Sequence, residues 1–198
     1  MKKIYFLCLA MISIQVMYGQ GGYGAATYSI GFPAGDLKDY IDQNSFRGVN
    51  LEFFWHLKPN VDAGIEFGWN VFNAKENEKT YTQETQSITG IQFRYTNAVP
   101  MVAGVRWRKT GGGNIQPYLG AGVGTTYINR ATDFGLYRIT NNTWQLCVRP
   151  EGGLIYKLSD ASGATFGVKY YANFKNDDLD AQNYFTVNVG FVFGLSHW

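Results

Sequence analysis

Long apolar runs are missing from this chain. The longest, Ile4 to Val16, is too short to cross a bilayer as a helix. A mean hydropathy of -0.19 also gives no helical-membrane composition. Charge is scarce: Asp, Glu, Lys and Arg make up 16% of the residues, against about 25% in a typical soluble domain. There is no basic excess either. Lys2 and Lys3 carry the formal net charge of +2, and without them the basic residues fall to 15, equal to the 15 acidic ones. A chain with no cationic run lacks the electrostatic footprint of nucleic-acid binding. Cysteine is limited to Cys8 and Cys147.

Glycine and aromatics are abundant: 24 Gly, 14 Tyr, 14 Phe and 5 Trp in 198 residues. An aromatic-rich, glycine-rich and moderately polar chain suits strands that meet lipid on one face and a polar interior on the other. The N-terminus reads as a cleaved export signal covering 1–19, with 20–198 as the mature domain. Lys2 and Lys3 form its charged start and Ile4 to Val16 its apolar stretch. Gly19 is a small residue before the cut, but Met17 is not the small residue expected two positions earlier, so the cut is not fixed to one bond. Cys8 lies in the apolar stretch with no small-residue lipid-attachment motif before it. Its removal leaves Cys147 alone, which excludes an intramolecular disulfide in an oxidising compartment.

Beyond residue 21 the apolar residues alternate with period two. Val61, Ala63, Ile65, Phe67, Trp69 and Val71 share one face, while Asp62, Gly64, Glu66, Gly68 and Asn70 share the other. Similar stripes run through Val49 to Leu57, Ile91 to Trp107, Ile115 to Tyr127, Trp144 to Tyr156, Phe166 to Phe174 and Phe185 to Leu195. A weaker one holds Ala26, Tyr28, Ile30 and Phe32. This predicts eight strands, over 22–33, 46–57, 61–73, 88–107, 115–130, 143–157, 164–174 and 184–195. The fold class expected is all-β, an eight-stranded antiparallel transmembrane up-and-down β-barrel. The competing reading is a soluble sandwich with aromatics in its core. Six consecutive apolar positions with aromatic ends argue against it.

The connections alternate in length. Lys58–Asn60, Arg108–Asn114 and Leu158–Gly163 are short, and 34–45, 74–87, 131–142 and 175–183 are expected as long polar outer loops. Short periplasmic turns and longer outer loops are the rule for such barrels, so both chain ends fall on the periplasmic side. Arg47 is the charged residue assigned to the outward face. It lies ten residues from Leu57 and, at about 2.5 Å of height per tilted residue, reaches the outer interface. Asn97 reaches the same level. Trp55, Trp107 and Tyr156 then form an aromatic girdle near the short turns, and Trp69, Tyr127 and Trp144 a second near the long loops. Pro100, Pro117 and Pro150 each remove a ladder donor and predict local bulges or pairing gaps.

The inward charges are the informative polar residues. Counting back from the short turns opposes Glu52 to Glu66 and Glu151 to Lys169, with Arg149 facing the same way. Opposed carboxylates need nearby cations or a shared proton, and eight strands are narrow enough for interior side chains to meet. Glu52, Glu66, Arg149, Glu151 and Lys169 are therefore expected to form an interior polar plug, with a small gated pore and catalytic carboxylates as the alternatives. Other candidates carry less. His56 points inward without a nucleophile motif, and His197 is in the tail. Asp177, Asp178 and Asp180 offer oxygens to Ca²⁺ without the spacing of an ion-binding loop. Gly111–Gly113 lacks the Lys-Ser/Thr and helix of a phosphate cradle. Cys147 is a small inward residue. No metal, cofactor or catalytic residue is assigned.

The stretch Asn188-Val-Gly190-Phe-Val-Phe193-Gly-Leu195 resembles the terminal assembly signal of outer-membrane barrels, with a polar residue, Gly two on, then an aromatic and a bulky apolar residue two apart. The chain departs from that pattern by continuing to Trp198. Ser45-Phe-Arg-Gly48 and Pro117-Tyr-Leu-Gly-Ala-Gly-Val-Gly124 are similar to segments of the small OmpA-like and porin-like outer-membrane barrels, which the whole mature chain resembles. No peptidoglycan-binding domain follows the barrel in this sequence, so the tethering role of longer relatives is not implied. The resemblance implies export by the general secretory route, location in the cell outer membrane, contact with its lipid, and handling by periplasmic chaperones and the barrel-assembly machinery. Asn188, Gly190, Phe193 and Leu195 would carry that last recognition. Three function classes stay open: a structural or interaction barrel displaying outer loops, which leads; a narrow pore or small-solute transport barrel; and a lipid-modifying membrane enzyme.

Overall fold

A computed structural model describes residues 21–83, 86–109, 111, 113–134 and 137–194, with side chains described outside 77–91, 134 and 137. The signal segment 1–19, Gly112, Leu195, His197 and Trp198 lie outside the described residues. Eight strands form in chain order: β1 (Gly22–Ala34), β2 (Ser45–Lys58), β3 (Val61–Gln83), β4 (Gln86–Arg108), β5 (Ile115–Phe134), β6 (Tyr137–Lys157), β7 (Ser162–Asn173) and β8 (Asn183–Phe193). Each pairs antiparallel with its chain neighbours, and β1 closes on β8 from Gly24↔Phe193 to Ala34↔Asn183. The all-β up-and-down barrel expected from the alternation is the observed fold.

The alternation decides which side chains enter the lumen. On β3, Phe67 and Trp69 are 45% and 55% exposed, while Asp62, Glu66 and Asn70 on the opposite face are buried. An outward face so apolar would be unstable in water and is at home in lipid.

Two of the expected outer loops are corrected. Instead of a loop over 74–87, β3 continues to Gln83 and β4 begins at Gln86, paired from Ala74↔Arg94 to Gln83↔Gln86. Instead of a loop over 131–142, β5 and β6 pair out to Phe134↔Tyr137. The stretches 74–83 and 137–142 are polar in sequence and carry no apolar stripe to announce a strand. At roughly 3.4 Å per residue, these extensions raise a sheet far above the outer aromatic row. The segment 34–45 is not wholly irregular either, because α1 (Asp36–Tyr40) forms a single helical turn and more within it.

Two of the three prolines leave pairing gaps, as expected. β3–β4 pairing is interrupted between Phe67↔Met101 and Asn70↔Ala98, beside Pro100. β6–β7 pairing is interrupted between Val148↔Ala172 and Glu151↔Lys169, beside Pro150. The register is the same on both sides of each gap, so the inward set stays inward. Pro117 departs from the expectation. It lies past the last β4 partner, Tyr118↔Arg108, and pairs in register with Leu154 on its other side.

Candidate functional site

The lumen is filled in layers, and the middle layer is ionic. Opposed positions bring the charges together: Glu52↔Glu66 across β2–β3 and Glu151↔Lys169 across β6–β7. Lys169 Nζ donates to Glu66 Oε2 at 2.7 Å and also to Glu52. Arg149 Nη1 lies 2.6 Å from Glu151 Oε2 and 3.1 Å from Glu66 Oε2. Tyr171 donates its hydroxyl to Glu66. All five residues expected in the plug therefore meet in one buried cluster.

Arg106 is the member that the sequence reading missed. Its Nη2 lies 2.9 Å from Glu52 Oε2 and 2.8 Å from Glu151 Oε2, and its Nε donates to Glu151 Oε1 at 3.2 Å. The guanidinium is held between the rings of Phe54 and Tyr118, at 4.0 and 4.1 Å from their centroids. Its inward placement was readable from its position between outward Val105 and Trp107. With Arg106 the cluster holds three carboxylates and three cations, all buried, and is neutral. Glu52, Glu66 and Glu151 offer oxygens within 4.8 Å of one another, a spacing that suits a metal ion. Here Lys169, Arg106 and Arg149 already occupy those oxygens.

The glycines of β5 make room for this cluster. A Cβ at Gly120 would lie 2.7 Å from Glu151 Oε1, and one at Gly122 would lie 2.5 Å from Val102 Cγ1 and 3.2 Å from Arg149 Nη2. The Gly-Ala-Gly-Val-Gly pattern thus presents alternate bare positions inward, where Glu151 and Arg149 of β6 and Val102 of β4 pack close to the backbone.

Toward the short turns lies a second polar group. Arg108 Nε donates to Asp62 Oδ2 at 3.0 Å, Arg108 Nη1 donates to Gln116 Oε1 at 2.9 Å, and His56 Nδ1 is 2.6 Å from Asp62 Oδ1. Tyr23 bridges the two groups, donating to Asp62 Oδ2 at 3.1 Å and accepting from Arg106 Nη1 at 3.3 Å. Asp62 and Arg108 are buried, so His56 serves a structural ion-pair network at this end.

Toward the end opposite the short turns the lumen turns apolar. Leu37 of α1 and Ile41 just after it are fully buried against Phe72, Ile128, Tyr171, Leu179 and Tyr184. Cys147 belongs to this cluster, in apolar surroundings that do not activate a thiol. Tyr40 holds α1 in place: its hydroxyl donates to Ala131 O at 3.1 Å, its ring carries the Arg130 guanidinium at 3.3 Å, and its carbonyl accepts from Arg94 Nη1 at 2.9 Å.

The remaining expected residues are placed as follows. Trp69 (55%), Trp107, Trp144 and Tyr156 are exposed on the outward wall, Trp55 and Tyr127 partly so, with Tyr127 opposite Trp144 at 5.2 Å between rings. Asn188 points inward and accepts from Asn50 Nδ2 at 2.9 Å, Gly190 sits opposite Thr27, and Phe193 is outward. Asp178 accepts from Thr143 Oγ1 at 3.2 Å, and Asp180 is 2.9 Å from Lys175 Nζ. The hydrogen bond and charge of that pair hold the Asp180 carboxyl below its ordinary range and raise the Lys175 amine.

No protein-family model matches the sequence, and no curated protein matches it either. Solved structures do match. Neisserial surface protein A aligns over 88% of this chain and 97% of its own, at 11% identity and a TM-score of 0.58. The N-terminal β-barrel domain of Pseudomonas aeruginosa OprF aligns over 88% and 98%, at 12% identity and a TM-score of 0.49. Outer membrane protein W of E. coli aligns over 88% and 97%, at 13% identity and a TM-score of 0.46. Closed, antiparallel and matched to the neisserial protein along nearly its whole length, the chain has the fold of the small eight-stranded outer-membrane β-barrels.

Proposed function

We propose that this protein is a plugged barrel of the cell outer membrane that holds an interaction surface above it, with a structural or binding role and no catalysis. The observation that carries this reading is the neutral six-residue ion cluster across the lumen, closed on the outer side by Leu37 and Ile41. A barrel filled in this way anchors more readily than it conducts. The surface on offer is the sheet that β3, β4, β5 and β6 raise beyond the ends of β2 and β7, together with α1 and the segment 174–182. Export by the general secretory route, handling by periplasmic chaperones and the assembly machinery, and a surface partner are parts of the same proposal.

Orientation is tested by labelling intact cells with an impermeant thiol reagent in a Cys147→Ser background. Lys75→Cys, on the exposed extension of β3, and Asp178→Cys are expected to label on whole cells. Asp160→Cys, in a short turn, is expected to label only after the outer membrane is disrupted. The reverse pattern would turn the barrel over and remove the display role.

A further inference from the structure

The outward wall carries a groove where β1, β2, β3 and β4 approach the outer aromatic row. Its volume is about 460 Å³, and it is lined by Tyr28, Arg47, Val49, Trp69, Val71 and Asn97. The register makes these residues neighbours: Tyr28↔Val49, Val49↔Trp69 and Val71↔Asn97. The volume falls within the range of about 300–1,000 Å³ typical of small-molecule sites. Val49, Val71 and the two aromatic rings supply apolar walls, whereas Arg47 and Asn97 supply polar groups. Tyr28 turns its hydroxyl away to the Phe46 carbonyl. The Arg47 guanidinium is exposed and has no ion-pair partner among the described residues, unlike the cations of the central cluster.

We propose that this groove binds an anionic phosphorylated lipid of the outer leaflet, the phosphate on Arg47 and Asn97 and an acyl chain along Val49, Val71 and Trp69. A guanidinium at a membrane interface needs water or an anion, and its planar fork matches phosphate oxygens. The apolar walls lie beside it on the same face, so one amphipathic molecule satisfies both. The inference rests on the reading that the outward wall meets lipid.

Trp69 gives the test a reporter inside the groove. Trp55, Trp107, Trp144 and Trp198 are replaced by Phe, and the full mature barrel is reconstituted in phosphatidylcholine vesicles containing brominated phosphatidic acid, which quenches a neighbouring indole. One basic residue near a charged surface supports about a fivefold enrichment of the anionic lipid at Trp69 over its bulk fraction. Arg47→Gln should bring that ratio back to one. Bulk-level quenching in the parent, or enrichment that survives Arg47→Gln, overturns the proposal. Vesicles of brominated phosphatidylcholine alone separate the two ideas. If they quench Trp69 without any anionic preference, only the lipid site falls. If they do not quench it, the lipid-facing wall falls as well. Should the single-tryptophan chain not fold, the unaltered chain is expected to show more total quenching by the brominated anionic lipid than Arg47→Gln, and equal total quenching overturns the proposal.

Discussion

Replacing Arg106 by methionine is expected to destabilise the barrel by about 3–5 kcal/mol, the loss typical of a broken buried ion pair. Arg106 is shared by Glu52 and Glu151, so its removal leaves both with weaker compensation and shifts the neutral cluster to a net charge of minus one. Methionine keeps much of the volume between Phe54 and Tyr118, so the loss is electrostatic rather than a cavity effect. Arg106→Met combined with Glu151→Gln should lose less than the two single changes added, because the double variant removes a charge of each sign. Arg149→Met with Glu66→Gln should couple in the same way through their 3.1 Å contact. Urea unfolding in lipid vesicles reads all of these. Strictly additive losses would mean that the six groups do not act as one plug.

Phe67→Arg is the second large effect. Phe67 lies on the outward face of β3 between Leu51 and Met101, two residues from the outer row at Trp69. An arginine on the lipid face near mid-depth costs about 2–4 kcal/mol, whereas Phe67→Leu keeps an apolar side chain there. Refolding into vesicles should separate the two clearly. Equal stabilities would place Phe67 away from lipid and invert the assignment of faces. Glu66→Gln, one residue along, is not a neutral comparison, since Glu66 accepts from Lys169 and Tyr171 and lies 3.1 Å from Arg149.

The membrane half of the fold was legible because lipid on one face and a packed interior on the other impose a strict period of two. Register was legible only across short turns. From the Lys58–Asn60 turn the Glu52↔Glu66 pair could be counted, and from Leu158–Gly163 the Glu151↔Lys169 pair. The β3–β4 connection looked long, so its register could not be counted. That hid the Asp62↔Arg106 opposition, and with it the cation that links Glu52 to Glu151. The start of β4 was legible, expected at 88 and found at Gln86, but the extensions of β3, β5 and β6 were not, because 74–83, 131–134 and 137–142 are too polar in sequence to show an apolar alternation. The α1 stopper was illegible because five residues are too few to show a helical period.

The lumen also explains features that looked weakly specific in the sequence. Gly120 and Gly122 read singly as common barrel glycines, yet Gly120 leaves space for Glu151 Oε1 and Gly122 for Val102 Cγ1 and Arg149 Nη2. Asn188, marked as part of the terminal signal, also ties β8 to β1 and β2 by accepting from Asn50 Nδ2 and from Ser29 Oγ. Any role in assembly would therefore be superimposed on a structural one.

The central claim is that the lumen is sealed by Arg106, Arg149 and Lys169 against Glu52, Glu66 and Glu151, beneath Leu37 and Ile41. The direct measurement is a conductance recording of the purified, folded mature barrel in a planar lipid bilayer. The sealed lumen predicts a flat trace across the voltage range that the bilayer withstands, with no unitary steps. Reproducible unitary steps from the unaltered protein would contradict the seal and make the barrel a pore.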